Sequence, residues 1–313
     1  MKKTKVMIFN NHYLQGARCF LHEVQPFELV KEFKYLGLMF HENRRRSALI
    51  EHRVSQGKRL FAVWMRRCNM WLMKPEMVMQ LFRTCVMPSL EYGVGLWGCG
   101  NFQSTVWKKV ESFWCMAART IIGVPLRTPH EAILGDLGWL KFWVRGAWQG
   151  VCMWTRITAM NEDSLTRKAM YVQRDMVLKN HECWLNDIHS TLCSSEHGKE
   201  IWDKWWLTPN FALKCSNTVI SQEGKNITTE WENEMKTVFT EKAEDDWLRE
   251  LNRPHARLGE GGNKLRSYAI FKSECKHEPY LSCILNQTKC KLPARFRMGV
   301  APLRIEQGLY EAN

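Results

Sequence analysis

The sequence has no run of 18 apolar residues, so no segment reads as a membrane-spanning helix. Its start, MKKTKVMIFN, holds too short an apolar run for a secretory signal. The 12 cysteines are scattered from Cys19 to Cys290 without one CxxC pair. That pattern fits reduced thiols in a nuclear or cytoplasmic, non-secreted protein. The sequons Asn226-Ile-Thr228 and Asn286-Gln-Thr288 are then chance matches. No phosphate loop is present, because Gly93, Gly95, Gly98 and Gly100 lack a following Lys-Ser/Thr. Internal repeats and low-complexity tracts are absent as well.

Catalytic and metal-binding patterns are equally scarce. Nucleotidyl transfer with two metal ions needs paired carboxylates on a hairpin behind an apolar run. The one adjacent pair, Asp245-Asp246, lies in EKAEDDWLRE, a charged and helix-forming context that reads as a solvated helix face. Cys275-Lys-His277 with Cys283 and Cys290 fits no standard zinc spacing, and His181-Glu-Cys183 is a half site without a partner. No nucleophile with its base stands out among 12 Cys and 10 His. The expectation is therefore no catalytic residue, no metal ligand and no cofactor within this chain.

What the chain does hold is an ordinary globular balance, 45% hydrophobic and 25% charged over 313 residues, enough for a sizeable core. Its 15 Trp belong mostly in that core, and a few suffice for a base-stacking surface. The net charge of +13 is unevenly spread. Residues 1–150 carry 22 Lys and Arg against 10 Asp and Glu, whereas residues 151–313 carry 23 against 22. A one-sided basic excess suits a polyanionic partner, nucleic acid or an acidic membrane face, and also a merely soluble basic protein.

Along the chain, residues 5–9 and 33–40 read as short strands, with two more near 19–22 and 27–30. A long helix is expected over 44–73, where Ile50, Val54, Gly57, Phe61, Trp64, Cys68 and Trp71 recur at alternating steps of four and three. Arg45, Arg59 and Arg66 project to roughly the opposite side. Pro75 opens a second helix to about Tyr92, which Pro88 should kink or end. A third runs from Ser104 to Ile122 and stops at Gly123. Thr128-Pro-His-Glu131 has the form of a capped helix start, with Thr at the cap. Residues 139–192 are helical with a break near Asn161-Glu-Asp163. Residues 194–228 read as an irregular linker, 229–251 as an acidic helix, Gly259–Gly262 as a flexible break, and 264–310 as two or three short helices.

The segment 44–67 holds eight basic residues, Arg44, Arg45, Arg46, Arg53, Lys58, Arg59, Arg66 and Arg67, against the single acid Glu51. Such a face can neutralise phosphates and hold a duplex without reading its sequence. A solvated helix face is the plainer alternative.

Five blocks carry a resemblance. They are Lys3-Thr-Lys5-Val-Met-Ile-Phe9; Phe33-Lys-Tyr35-Leu-Gly37; and Val86-Met-Pro88-Ser-Leu90-Glu-Tyr92-Gly93 with Leu96-Trp97-Gly98. The fourth is Ile121-Ile-Gly123-Val-Pro125, continued by Thr128-Pro129, Ala132 and Leu137-Gly138-Trp139. The last is Arg295-Phe-Arg297-Met-Gly299, with Leu303-Arg-Ile305-Glu306 and Gly308-Leu-Tyr310. Their content and order resemble the reverse transcriptases of non-LTR (LINE-type) retrotransposons, from the end of the palm through primer grip and thumb to the tail. Leu309 stands where many relatives have Arg. The family's fingers and palm, with the Asp-Asp hairpin, would precede Met1, and a Cys/His knuckle often follows the tail. Met1 is therefore expected to match an internal residue of a longer protein.

The resemblance implies a mainly α chain with a small N-terminal β element, a helical thumb-like bundle and a helical tail. Residues 1–41 would be the residual palm and primer-grip element, 42–138 the thumb-like bundle, 139–193 a helical extension, 194–228 the linker and 229–313 the tail. Tyr35, Leu36 and Gly37 would sit at the primer 3′ end, Gly37 letting backbone approach the strand closely. Lys3 would lie near the incoming nucleotide's phosphates, and the first thumb helix along the template–primer duplex. Partners would be RNA, DNA or RNA–DNA hybrid, and the missing catalytic core, with no membrane. Mg2+ would belong to that core. An RNA-directed DNA polymerase fragment of this kind is expected to be inactive alone. A stand-alone helical RNA/DNA-binding protein and a non-functional transposon remnant are the alternatives.

Overall fold

The computed structural model describes residues 4–9, 21–22, 25–43, 46–67, 69, 72–102, 104–207, 223–252, 265–283 and 286–301. These form a mainly α chain with a small N-terminal β element. Strand β1 (Lys5–Val6) runs parallel to β4 (Glu28–Leu29), and β2 (Leu21–His22) pairs antiparallel with β3 (Gln25–Pro26). The longest pairing is a hairpin of β5 (Glu32–Tyr35) and β6 (Leu38–His41), with Phe33 opposite Phe40 and Tyr35 opposite Leu38. Its two turn residues, Leu36 (φ 46°) and Gly37 (φ 82°), both have positive φ. That is the turn whose twist matches the flanking strands, although Asn is the usual choice where Leu36 stands.

Helix α1 (Arg46–Arg67) buries Ile50, Val54, Gly57 and Phe61 of the expected stripe, with Trp64 half-buried, and adds Leu49 and Arg53. It ends short of residue 73, and Cys68 and Trp71 lie outside the described residues. Gly57 is small because a Cβ there would stand 2.8 Å from the Phe113 ring. Next come α2 (Pro75–Leu81), a π-helical turn (Phe82–Val86), α3 (Met87–Glu91) and α4 (Val94–Trp97). Pro88 has no N–H for the carbonyl one turn back. The helix widens just ahead of it, and the N–H of Met87 reaches back to the Phe82 carbonyl. Gly93, at φ 71°, then turns the chain.

Helix α5 (Thr105–Ile122) is bounded as its sequence requires. Ser104 Oγ accepts from the Trp107 N–H at 3.4 Å, and Gly123 closes the other end at φ 81°. Helix α6 (His130–Leu137) departs from expectation: Pro129 occupies the cap position. Thr128 does not cap. Its carbonyl accepts from Arg119 Nε and Nη2 at 3.1 and 2.8 Å, and its Oγ1 is buried without a partner among the described residues.

Helices α7 (Phe142–Thr158), α8 (Leu165–Leu178) and α9 (Trp184–Leu192) follow, with the break near Asn161. The expected linker 194–228 is corrected by α10 (Glu196–Leu207), which buries Trp202 and Trp205. Residues 223–228 already belong to α11 (Glu223–Leu251), and residues 208–222 lie outside the described part. The segment's polar average hid an apolar stripe of Ile201, Trp202, Trp205 and Trp206. The end of the described chain forms α12 (Arg266–Phe271), α13 (Tyr280–Cys283) and α14 (Gln287–Arg297). Gly259–Gly262 lies outside the described residues.

Two hydrophobic cores result. The first joins α1–α6 to Trp247 and Leu251 of α11 and to Tyr268, Leu281, Cys290, Ala294 and Met298. The second joins α7 to Met170, Leu185, Ile188, Trp202, Trp205, Met235 and Phe239. The chain thus leaves the first core, builds the second and returns. Of the 13 Trp whose surroundings are described, eight are buried in these cores, which is where most of them were expected.

Candidate nucleic-acid interface

The tip of the β5–β6 hairpin stands against α1 and the Tyr92-Gly93 corner. The Tyr92 hydroxyl donates to the Leu36 carbonyl at 2.7 Å, and Arg53 Nη2 donates to the Gly37 carbonyl. The Arg53 guanidinium lies 4.6 Å from the centroid of the Tyr92 ring. A Cβ on Gly93 would stand 2.7 Å from Leu38 Cδ2, so glycine permits this contact. Two blocks far apart in sequence, Tyr35-Leu36-Gly37 and Glu91-Tyr92-Gly93, therefore meet. Both carbonyls of the strained turn are held, which fixes its conformation. Its side chains face outward: Tyr35 is 59% exposed and Leu36 72% exposed.

Beside this tip runs the outer face of α1. Lys58, Arg59, Arg66 and Arg67 are exposed. Arg59 donates to Gln56 Oε1 at 3.2 Å, an exposed contact that water or phosphate can replace. Arg59 and Arg66 are seven residues apart, about 10 Å along the helix axis. Glu51, the acid of this stretch, is paired with Lys109 of α5 at 2.6 Å. The surroundings are correspondingly positive. The His52 ring is held below its ordinary value, first by burial and then by Lys34, Arg53 and Arg59.

The structure divides the predicted site residues. Tyr35, Leu36, Gly37, Lys58, Arg59, Arg66 and Arg67 lie on or beside one another's elements at the surface. Arg53 does not present its charge to solvent: it is 7% exposed and committed to Gly37 and Tyr92. Arg46 faces the other way, paired with Asp187 and donating to the Cys99 carbonyl at 3.5 Å. Arg44, Arg45 and Lys3 lie outside the described residues. Sequence reasoning missed Lys34 and the Tyr92 clamp. Lys34 stands inside the quoted hairpin block, so the signal was present. The clamp depends on a long-range contact that no local pattern reveals.

A second charged cluster is closed. Asp136 of α6 is fully buried and accepts from the Tyr268 and Tyr280 hydroxyls, each at 2.8 Å. Arg297 Nη2 lies 3.5 Å from Asp136 Oδ1 and 3.1 Å from Glu278 Oε2, and Lys272 completes the group through Glu278. Burial raises the Asp136 carboxyl above its usual range, against the pull of Tyr280, Arg297 and Tyr268. This cluster ties Tyr268, Lys272, Glu278, Tyr280 and Arg297 to α6 and serves the fold.

Among the described residues no group of three or more His, Cys, Asp or Glu side chains could hold a metal ion, and no helix is long and apolar enough to cross a membrane. Asp246 pairs with Arg249 at 2.9 Å on an exposed turn of α11. Comparison with family models, curated proteins and solved structures finds no match to the chain.

Proposed function

We propose that this chain is the thumb-and-tail part of a LINE-type reverse transcriptase and holds template–primer duplex without a catalytic site of its own. The observation that carries the reading is the hairpin tip. Tyr35-Leu36-Gly37 is locked by Arg53 and Tyr92 at one side of a helix that presents Lys58, Arg59, Arg66 and Arg67. A rigid tip with exposed Tyr and Leu suits contact with a strand end. An exposed cationic helix beside it suits a run of phosphates. Two of the blocks that carry the family resemblance, residues 33–37 and 86–93, meet at this tip. The partners are RNA, DNA or RNA–DNA hybrid, and a catalytic core that would supply the carboxylates and Mg2+.

Fluorescence anisotropy at low salt tests the reading. A labelled RNA–DNA hybrid should bind at least as tightly as a DNA duplex of the same sequence, and a shuffled sequence should bind equally well. No binding at low salt, or strong dependence on sequence, would sink it. In a primer-extension assay with Mg2+ and deoxynucleotides the purified chain should extend nothing.

A further inference from the structure

A cleft of about 770 Å³ opens where the two cores meet, lined by α5, α6, α7, α9 and α11 rather than by α1. Helix α5 turns one stripe toward it, Lys108, Glu111 and Ser112 among its members. Lys242 faces them from α11, and Lys141 and Trp143 from the start of α7. Trp143 and Phe102 pack against both cores, with ring centroids 5.3 Å apart.

The polar groups here are incompletely used. Among the described residues Lys242 Nζ reaches only the Ser194 carbonyl, at 3.4 Å. Lys108 and Lys141 form no ion pair among the described residues. Glu111 Oε1 accepts from the Trp143 backbone N–H at 3.1 Å and the Phe142 backbone N–H also faces the carboxylate, while Oε2 is buried with no hydrogen bond of normal geometry among the described residues. A buried acceptor left empty is costly, and a ligand N–H would fill it. The volume falls within the range of small-molecule sites, about 300–1,000 Å³.

We propose that this cleft binds a nucleotide, its phosphate held by Lys108, Lys141 and Lys242, its base against Trp143, and a ring amino group donating to Glu111 Oε2. Three ammonium groups outside any ion pair among the described residues call for an anion: of the two carboxylates in the cleft, Asp246 is paired with Arg249, and Glu111 is buried beside Lys141. The aromatic wall and the empty acceptor call for a planar base with an amino group, which a simple phosphate lacks. The site stands apart from the α1 face and does not depend on that face binding duplex.

Isothermal titration calorimetry of the full chain with AMP, UMP and inorganic phosphate tests this. AMP should bind saturably at one site. UMP, whose base has no exocyclic amino group, should bind about tenfold more weakly, equivalent to about 1.4 kcal/mol. Phosphate alone should bind more weakly still. The exposed-lysine double variant Lys108→Ala/Lys242→Ala should weaken both nucleotides alike. Glu111→Gln should remove the advantage of AMP and leave UMP unchanged, because the Gln carbonyl takes the Trp143 N–H and its amide cannot accept. Arg59→Glu/Arg66→Glu should leave all three titrations unchanged. Absence of saturable AMP binding to the wild-type chain overturns the proposal, as does equal affinity for AMP and phosphate.

Discussion

The open face of α1 and the closed cluster around Asp136 use the same kinds of side chain to opposite ends. Around Asp136, Arg297, Lys272 and Glu278 neutralise one another, and two tyrosines complete the carboxylate. On α1, Lys58, Arg59, Arg66 and Arg67 are exposed, and the nearby Glu51 is taken by Lys109. Charge satisfied inside the protein serves the fold, whereas charge left unopposed at the surface is available to a partner. Arg53 shows that helix membership does not decide this: it shares α1 with Arg59, yet it is buried and spent on the hairpin tip.

The closed cluster should give the largest effect. Asp136→Ala leaves the Tyr280 hydroxyl without its acceptor, Tyr268 with the Ala132 carbonyl alone and Arg297 with Glu278 alone, and should cost about 3–5 kcal/mol in urea denaturation. Asp136→Asn, which keeps an acceptor, should cost less. Arg53→Ala should cost about 1–3 kcal/mol by releasing the Gly37 carbonyl and the Tyr92 ring. Lysine at that position cannot both donate to the carbonyl and stack on the Tyr92 ring, so Arg53→Lys should recover only part. If Arg53→Ala lowered hybrid affinity without loosening the fold, the comparison would fail at that residue.

Glu111 sharpens the comparison through pH. Burial raises its carboxyl from 4.5 to about 6, against the Phe142 and Trp143 N–H groups and Lys141. The native state therefore binds the proton more tightly than the unfolded chain. The contribution of Glu111 to stability is fullest below pH 4.5 and is lost as pH rises through about 6. Glu111→Gln should therefore exceed the wild type by about 1–2 kcal/mol near pH 8 and lose that margin near pH 4, read from denaturation curves. The smallest change in stability belongs to Leu36. A left-handed leucine is strained, and Leu36→Asn should gain up to about 1 kcal/mol. If Leu36 touches the strand end, the same variant should bind hybrid less well, so stability and affinity should move in opposite directions.

Much of this was legible locally. The α5 boundaries follow from Ser104 and Gly123, and the α1 stripe from its spacing, because caps and periodicity are short-range. Thr128 misled because Arg119, nine residues back, claims its carbonyl and Pro129 takes the cap. The supposed linker failed because Trp202 and Trp205 find their partners in α7 and α9, as the contact of Trp154 and His189 with Trp202 illustrates. The basic residues of α1 were legible as a set, but their division into buried and exposed was not. That division rests on where a hairpin tip docks, a tertiary fact. The cleft between the cores combines five helices and has no local signature.

The salt dependence of hybrid binding tests the central claim most directly. With about four phosphates held by α1, the log–log slope of affinity against salt should be about −3 to −4 for the wild-type chain. Arg59→Glu/Arg66→Glu should weaken every sequence alike and flatten the slope by about one unit per lost contact, with the fold intact. Equal affinities and equal slopes for the two proteins would mean that these arginines only solvate a surface, and would contradict the account.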